Sequence, residues 1–434
     1  MRRHALSCKT ELLPIAVLSC RRPDYLKTCL DGLSASLRSS HIRYSVALFQ
    51  DLPIAVGDKS AEKIAEECTY IFSNTFPEGT VFSAGANLGI SGNYARAERW
   101  AFGKDFTNSE YCAPAALFLE DDFVLNDSSV KCIGSLLDLI RLGFAVGAVS
   151  VAGHIHELAS GAIRPMGQLW AYALSATAYA CVRNKLEAYD RIVLEHRATR
   201  SQQYPPLDLC LELASEWGYE PQAGDRDSFL ALALHCEGFL QVASKGVVGK
   251  YIGIDGESFD KDQYETLGWS NQEEISEVPC VEAVIESFLR QQALLRNHQE
   301  DQFSKANPLF YSDACSEAYA GGRFQACRRI AQIGLCKWGS FSSRGYPFSF
   351  ERHLLSALVR IDQTSDAYEA GDRIAKAGRG TWGLWAVATA LEDAGMWDES
   401  VRCWTRVLAY TPNESRAIER LNRATINSRR QSIY

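Results

Sequence analysis

No apolar run in the chain approaches the roughly 20 residues a helix needs to span a bilayer. The opening stretch, MRRHALSCKTELLPIAVLSC, is broken by Lys9 and Glu11. Neither a membrane span nor a secretory signal peptide is expected, and the reading is a cytoplasmic protein. There is no excess of positive charge: 45 Lys and Arg stand against 53 Asp and Glu, a net charge of −8. A general electrostatic grip on nucleic acid or anionic lipid is excluded, so any phosphate must be held at a local site. No C-x-x-C pair occurs among the 14 cysteines, and several, such as Cys132, Cys181, Cys236 and Cys327, lie in apolar segments. Free, mostly buried thiols are expected in place of a disulfide framework or a zinc site. Among 8 histidines only His154 and His156 form a close pair. A single H-x-H without further ligands is thin ground for a metal, and structural hydrogen bonding is the plainer job for each. With 31 Gly and 13 Pro there is no low-complexity bias, and long disorder is not expected.

What is present is an ordinary globular composition, 47% hydrophobic and 23% charged over 434 residues. At about 150 residues per domain the length allows two or three domains and a buried cleft. The N-terminal half alternates short β-branched runs with helical periodicity, the pattern of a mostly parallel sheet covered by helices. PIAVLSC reads as a buried strand, followed by a turn at Arg22-Pro23 and a helix over 25–37. YSVALFQ is a second strand ending at Asp51; a helix over 60–68 and a short strand over 69–73 follow. The loop GANLGISGN leads to a helix over 94–102, and AALFL is a strand that ends in Glu120-Asp121-Asp122. Ligands of open α/β sheets collect beyond the carboxyl ends of the strands, so Arg22, Asp51 and the acidic triplet point to one crevice.

Beyond 128 the spacing predicts a helix to 142, a strand AVGAVSVAG and mixed segments to 254. Residues 259–280, rich in Asp, Glu, Gln and Ser, read as a linker. From 281 amphipathic helices take over, with small residues at their turns. The last hairpin, from Leu384, closely resembles a tetratricopeptide repeat; those from Ala318 and Ala367 resemble it loosely. Gly322 and Gly395 are spaced as two such periods, but Gly371 does not fall midway, so the repeat is irregular. The expected organisation is a tail over 1–11, an α/β domain over 12–258, the linker, and a helical repeat domain over 281–434.

The triplet in LFLEDDF is the sharpest chemical signal. Three consecutive carboxylates after an apolar strand are too costly to desolvate together, so they are expected at the sheet rim, facing water, a cation or both. Oxygen ligands of this kind suit Mg²⁺ or Mn²⁺, which is held by one or two carboxylates together with substrate phosphates. A solvated acidic loop is the plain alternative.

In order and spacing, PIAVLSCRRPDYLKTCL, NLGISGNYARAERWAF and LFLEDDF resemble the nucleotide-sugar glycosyltransferases of the GT-A fold, most of all the type I N-acetylglucosaminyltransferase branch, where an EDD triplet stands for the usual D-x-D motif. The resemblance spans about residues 12–256 and is stronger up to Asp122. It implies a GT-A, Rossmann-like mixed sheet flanked by helices, followed here by the all-α helical repeats. It also implies roles: Arg22 for the base or diphosphate, Asp51 for uracil, Asp122 for the divalent ion, Asp121 for the ribose, Glu120 for the donor sugar. Asp227, which opens the helix in GDRDSFLALAL, is the implied general base, with Asp225 as the second candidate; plain N-capping is the alternative for each. Where the family often has Trp before this Asp, the chain has Arg226. Asn87 in the glycine-bearing loop would line the donor pocket, Arg96 and Arg99 would serve the diphosphate, and Trp170 would wall the sugar. A solvated helix face and a buried core are the respective alternatives. KGVVGKYIGIDGES, with Lys250, Tyr251, Asp255 and Glu257, resembles the closing strand and tail that folds over the donor in such enzymes.

The expected activity is metal-dependent transfer of a sugar, a hexose or N-acetylhexosamine, from a UDP-sugar to a hydroxyl on a glycan, lipid-linked or protein acceptor, with inversion. The helical repeats would present the acceptor, bind a partner protein or pair with a second copy. Two other readings stand beside it. One is a nucleotidyltransferase on a related scaffold, which lacks here a basic Gly-rich loop for a triphosphate. The other is a noncatalytic nucleotide-binding protein that acts through its repeats.

Overall fold

Leu13–Ser19 (β1) has no charged side chain along its length and is buried throughout, as a parallel strand covered on both faces must be. The computed structural model describes residues 10–52, 59–103, 111–150, 162–165, 171–197, 205–220, 223–244, 249–253, 265, 278–304, 306–342 and 348–431. Pro23 starts the helix Pro23–Arg38 (α1) immediately after Arg22; the ring presets the first helical φ where no N–H is needed. Leu26, Cys29, Leu30, Leu33 and Leu37 form its buried stripe. Then follow Tyr44–Gln50 (β2), Lys59–Thr75 (α2), Thr80–Ser83 (β3), Gly89–Ala101 (α3), Ala115–Glu120 (β4), Phe123–Leu125 (β5), Ser129–Arg141 (α4) and Val146–Ser150 (β6). Next come Ile163–Pro165 (β7), Ala171–Ser175 (β8), Ala176–Arg197 (α5), Leu207–Glu216 (α6), Arg226–Cys236 (α7), Leu240–Ser244 (β9), Gly249–Tyr251 (β10) and Val281–Ser304 (α8). A two-residue pairing of Thr10–Glu11 with Tyr111–Cys112 is left unnumbered.

Among the described residues the main sheet has eight strands in the order β3-β2-β1-β4-β8-β6-β9-β7. The first four run parallel; β8 is antiparallel to both β4 and β6, β9 is parallel to β6, and β7 closes the edge antiparallel to β9. From β1 the chain steps outward through β2 and β3 and then returns to β1's other side as β4. The switch point of the sheet therefore lies between β1 and β4, whose register sets Leu18 beside Glu120; the crevice beyond such strand ends is where open α/β sheets bind ligands.

Three sequence expectations change. Residues 69–73 are not a strand but the second half of α2, because Cys68, Phe72 and Phe76 fall at helical spacing and share one buried side. The glycine-bearing loop ends sooner than expected: Gly89 onward is already helical. The chain forms two compact units, residues 1–204 with 225–304, and 205–224 with 305–434. Helix α8, placed by the sequence in the repeat domain, belongs to the first unit, since Val284, Phe288 and Leu295 join the same core as β1 and β4 and Gln299 donates to the Phe239 carbonyl (2.9 Å).

Among its described residues the second unit contains α6 and seven further helices: Pro308–Ala320 (α9), Phe324–Trp338 (α10), Ser349–Arg360 (α11), Thr364–Lys376 (α12), Trp382–Asp393 (α13), Trp397–Tyr410 (α14) and Ser415–Gln431 (α15). The turns of the three hairpins hold a left-handed residue at Gly322, Asp362 and Gly395. The middle turn is thus Asp362, a non-glycine, and this conceals the repeat from a glycine count. Gly371 lies instead inside α12, where its Cα closely approaches Gly383 of α13. Buried carboxylates tie successive hairpins: Asp372 accepts from Arg406 (2.7 Å) and Tyr410 (3.0 Å), and Glu392 accepts from Trp404 Nε1 (2.6 Å), Arg420 (2.8 Å) and Arg423.

Cys132 and Cys327 are buried without a disulfide and Cys236 is half-buried, whereas Cys181 is exposed on α5. No helix among the described residues is long and apolar enough to cross a membrane.

Candidate active site

Two carboxylates of the acidic triplet do not face water. Asp121 and Asp122 are each 3% exposed, and what makes their burial tolerable is Arg22. From the N-cap of α1 its guanidinium spans both carboxylates, Nη2 to Asp121 Oδ1 at 2.5 Å and Nη1 to Asp122 Oδ2 at 2.8 Å. Asp121 is held further by the Cys20 N–H (3.4 Å). Burying charge demands pairing of this kind, and the turn sequences after β1 and β4 supply it.

Asp122 is incompletely satisfied. Ile252 N–H donates to its carbonyl (2.7 Å), and the Tyr251 hydroxyl hydrogen-bonds its carboxylate. β10 pairs antiparallel with β5 and so delivers Tyr251 opposite Phe123. Gly253 passes so close that a Cβ there would collide with both the Tyr251 hydroxyl and Asp122 Oδ2. Yet Asp122 Oδ1 is buried with no hydrogen-bond partner among the described residues. Burial, more than Arg22 offsets, pushes the Asp122 carboxyl up to about 6. A divalent cation fits this oxygen: it would meet one carboxylate and complete its shell from a diphosphate and water. No cluster of three or more His, Cys, Asp and Glu able to enclose a metal by protein side chains alone occurs among the described residues.

Glu120, at the end of β4, keeps some solvent contact, and Tyr94 donates its hydroxyl to Oε1 at 3.0 Å. Burial first, then the charges of Asp122 and Asp227, hold the Glu120 carboxyl well above the ordinary carboxylate range. Asp227 is therefore within electrostatic reach of the triplet, across 107 residues of chain, and it also faces Tyr94 and Tyr172. It lies half-buried in the first turn of α7, where the helix dipole favours an anion. Asp225 has a different job. As N-cap it accepts from Ser228 N (2.8 Å) and Ser228 Oγ (3.0 Å).

Asp51 stands at the end of β2, as expected, but is 3% exposed and accepts backbone N–H groups from Leu52, Leu88 and Gly89 at 2.7 to 2.9 Å. It anchors the start of α3, which is why helix begins at Gly89. Asn87 Nδ2 donates to the Leu52 carbonyl and ties the same loop. Arg96 reaches the Phe82 carbonyl (3.0 Å) with its guanidinium 5.8 Å from the Phe49 ring centre, on the β2–β3 flank and without an ion pair to the triplet. Trp170, His154, His156, Asp255 and Glu257 lie outside the described residues; Lys250 is exposed on β10.

The structure thus brings together Arg22, Glu120, Asp121, Asp122 and Asp227, and sets Asp51, Asn87 and Arg96 on the adjoining flank. Sequence reading missed Tyr94, Tyr172 and Gly253, and saw Arg226 only as a departure. Tyr94 and Tyr172 carry no motif, since each looks like core, and both are 1% exposed. Their value comes from a partner brought near by the sheet.

No family model matches the chain, and no curated protein does. Among solved structures, residues 1–349 of S. aureus TarS are 10% identical over 97% of this chain and 92% of that one, with a TM-score of 0.29. The same TarS segment in complex with UDP-GlcNAc is 9% identical over 96% and 92%, TM-score 0.31, and in complex with UDP 13% identical over 83% and 92%, TM-score 0.32. Scores of this size carry no inference about substrate or mechanism.

Proposed function

We propose that the chain is a glycosyltransferase of the GT-A type that moves a sugar from a UDP-sugar to an acceptor hydroxyl. One observation carries the reading: at the switch point of the sheet, Arg22, the half-buried Glu120 and the buried Asp121 and Asp122 form one polar cluster that includes an oxygen with no hydrogen-bond partner among the described residues. A buried carboxylate oxygen of this kind calls for a partner, which the cation of a metal–diphosphate complex would supply.

Asp122 Oδ1 would take Mn²⁺ or Mg²⁺, which when bound supplies Lewis acidity to the departing diphosphate. Arg22 neutralises phosphate charge from the N-terminus of α1, a position that already favours anions. Asp121 orients Arg22 and accepts from the ribose. Glu120, aimed by the Tyr94 hydroxyl, meets hydroxyls of the donor sugar. Asp227 takes the proton of the acceptor hydroxyl as it attacks the anomeric carbon from the face opposite UDP, which inverts that centre. Asp51 fixes the β2 turn that the uracil contacts. The acceptor is a glycan, a lipid-linked intermediate or a protein, and the second unit, with its tetratricopeptide-like hairpins, presents it or binds a partner.

The test is to incubate the full chain with Mn²⁺ and either a panel of UDP-sugars or nucleoside triphosphates, and to score released UDP against pyrophosphate. UDP release, lost by about a hundredfold or more in Asp227→Asn, supports the reading. Pyrophosphate release would transfer it to nucleotidyl chemistry, and release of neither would leave a binding protein.

A further inference from the structure

Arg226 precedes Asp227 in the first turn of α7 and is 3% exposed. Its Nη2 donates to both Glu98 oxygens on α3, at 2.8 and 2.9 Å, and Nε lies 3.4 Å from Asp190 Oδ1 on α5. The guanidinium also lies over the ring of Tyr94, 5.1 Å from its centre, and it is the Tyr94 hydroxyl that donates to Glu120. A line of charged and polar contacts therefore joins three helices to the end of β4. Three buried ionic groups cost desolvation that an apolar trio of the same volume would avoid, and the gain of such a cluster is fixed geometry.

We infer that Arg226 is a positioning residue, whose fork on Glu98 and Asp190 and whose face on Tyr94 set the relative placement of Asp227 and Glu120 for transfer. The inference rests on the glycosyltransferase reading, since it assigns Arg226 through the two carboxylates that reading uses. Misplacing a reacting group by about 1 Å can cost on the order of a hundredfold in rate, and Lys can reproduce the charge of Arg226 but not its planar fork.

The test measures UDP release from UDP-N-acetylglucosamine with Mn²⁺, water serving as acceptor, and UDP affinity by calorimetry on the same preparations. Arg226→Lys and Tyr94→Phe should each lower kcat by about tenfold or more per UDP-binding site. UDP affinity and binding stoichiometry should stay within about twofold of wild type. The control Arg183→Ala removes the Arg183–Glu187 surface pair on α5, which touches neither Arg226 nor the triplet, and should leave kcat unchanged. A merely structural role would show as lost stoichiometry with kcat per site intact. Should Arg226→Lys fail to fold, Tyr94→Phe decides alone, because it keeps the buried ring. Wild-type kcat in the folded variants overturns the positioning role while the glycosyltransferase reading stands. A wild-type chain that binds UDP yet turns over no UDP-sugar overturns that reading and this inference with it.

Discussion

Two buried carboxylates of the helical unit and two of the α/β unit are treated in opposite ways. In the helical unit, Glu392 and Asp372 each collect several donors, and the Arg406 hydrogen bond holds Asp372 below the ordinary carboxylate range. In the α/β unit, Asp122 and Glu98 are pushed up to about 6 and about 7 by burial that their arginines do not offset. The first arrangement builds a scaffold. The second holds unfavourable charge near the strand ends, a common mark of a working site, and on the proposed function a cation would relieve it at Asp122.

The comparison breaks most sharply at Asp122. Asp122→Asn should reduce UDP release from a UDP-sugar by about a thousandfold or more, since the cation loses its protein ligand, while the melting temperature stays at or above wild type. A large fall in stability with activity retained would make Asp122 a scaffold residue like those of the other unit. The converse substitution, Glu392→Ala, strands the Trp404 indole N–H and should destabilise the helical unit by about 2 to 3 kcal/mol. Hydrogen exchange should then rise in α13–α15, with UDP affinity unmoved.

The pH dependences should have opposite signs. Asp122 and Glu98 have folded-state pKa values raised above their unfolded ones, so the α/β unit binds protons on folding and loses stability as pH rises from about 4 through 7. Asp372 is lowered, so its contribution is present above about 4 and is lost only as pH falls below that. Between pH 7.5 and 5, hydrogen exchange corrected for its intrinsic rate should slow around α3 and β4 and stay level around α12. Equal behaviour in both units would remove the contrast. The smallest effect separates the two aspartates of α7. Asp225→Ala should cost about 1 kcal/mol, the value of an N-cap, and leave kcat alone, in contrast to Asp227→Asn.

Local pattern carried the reading as far as local causes reach. β1, β2 and β4 follow from uninterrupted apolar runs, α1 from Pro23 and its leucine stripe, and Arg22 with the triplet from the rule about strand ends. Where a distant contact decides, the chain gave no sign: Arg226 meets Glu98 across 128 residues, and Tyr94 acquires its role only when β4 brings Glu120 beside it. The stretch 69–73 looked like a strand by composition, but the spacing of Cys68, Phe72 and Phe76 against the sheet outweighs that preference. The cost of burying three carboxylates places the triplet at the sheet rim, facing water, a cation or both; the side chain that lets Asp121 and Asp122 be buried there is Arg22, which the sequence offers for a different role.

The central claim is that Asp122 with a divalent ion holds a diphosphate, and calorimetric titration of UDP into wild-type chain and Asp122→Asn, each with and without Mn²⁺, tests it most directly. The account predicts that Mn²⁺ tightens UDP binding to wild type by at least about tenfold and does nothing for the variant. Equal UDP affinity in all four titrations, or none in any, would contradict it.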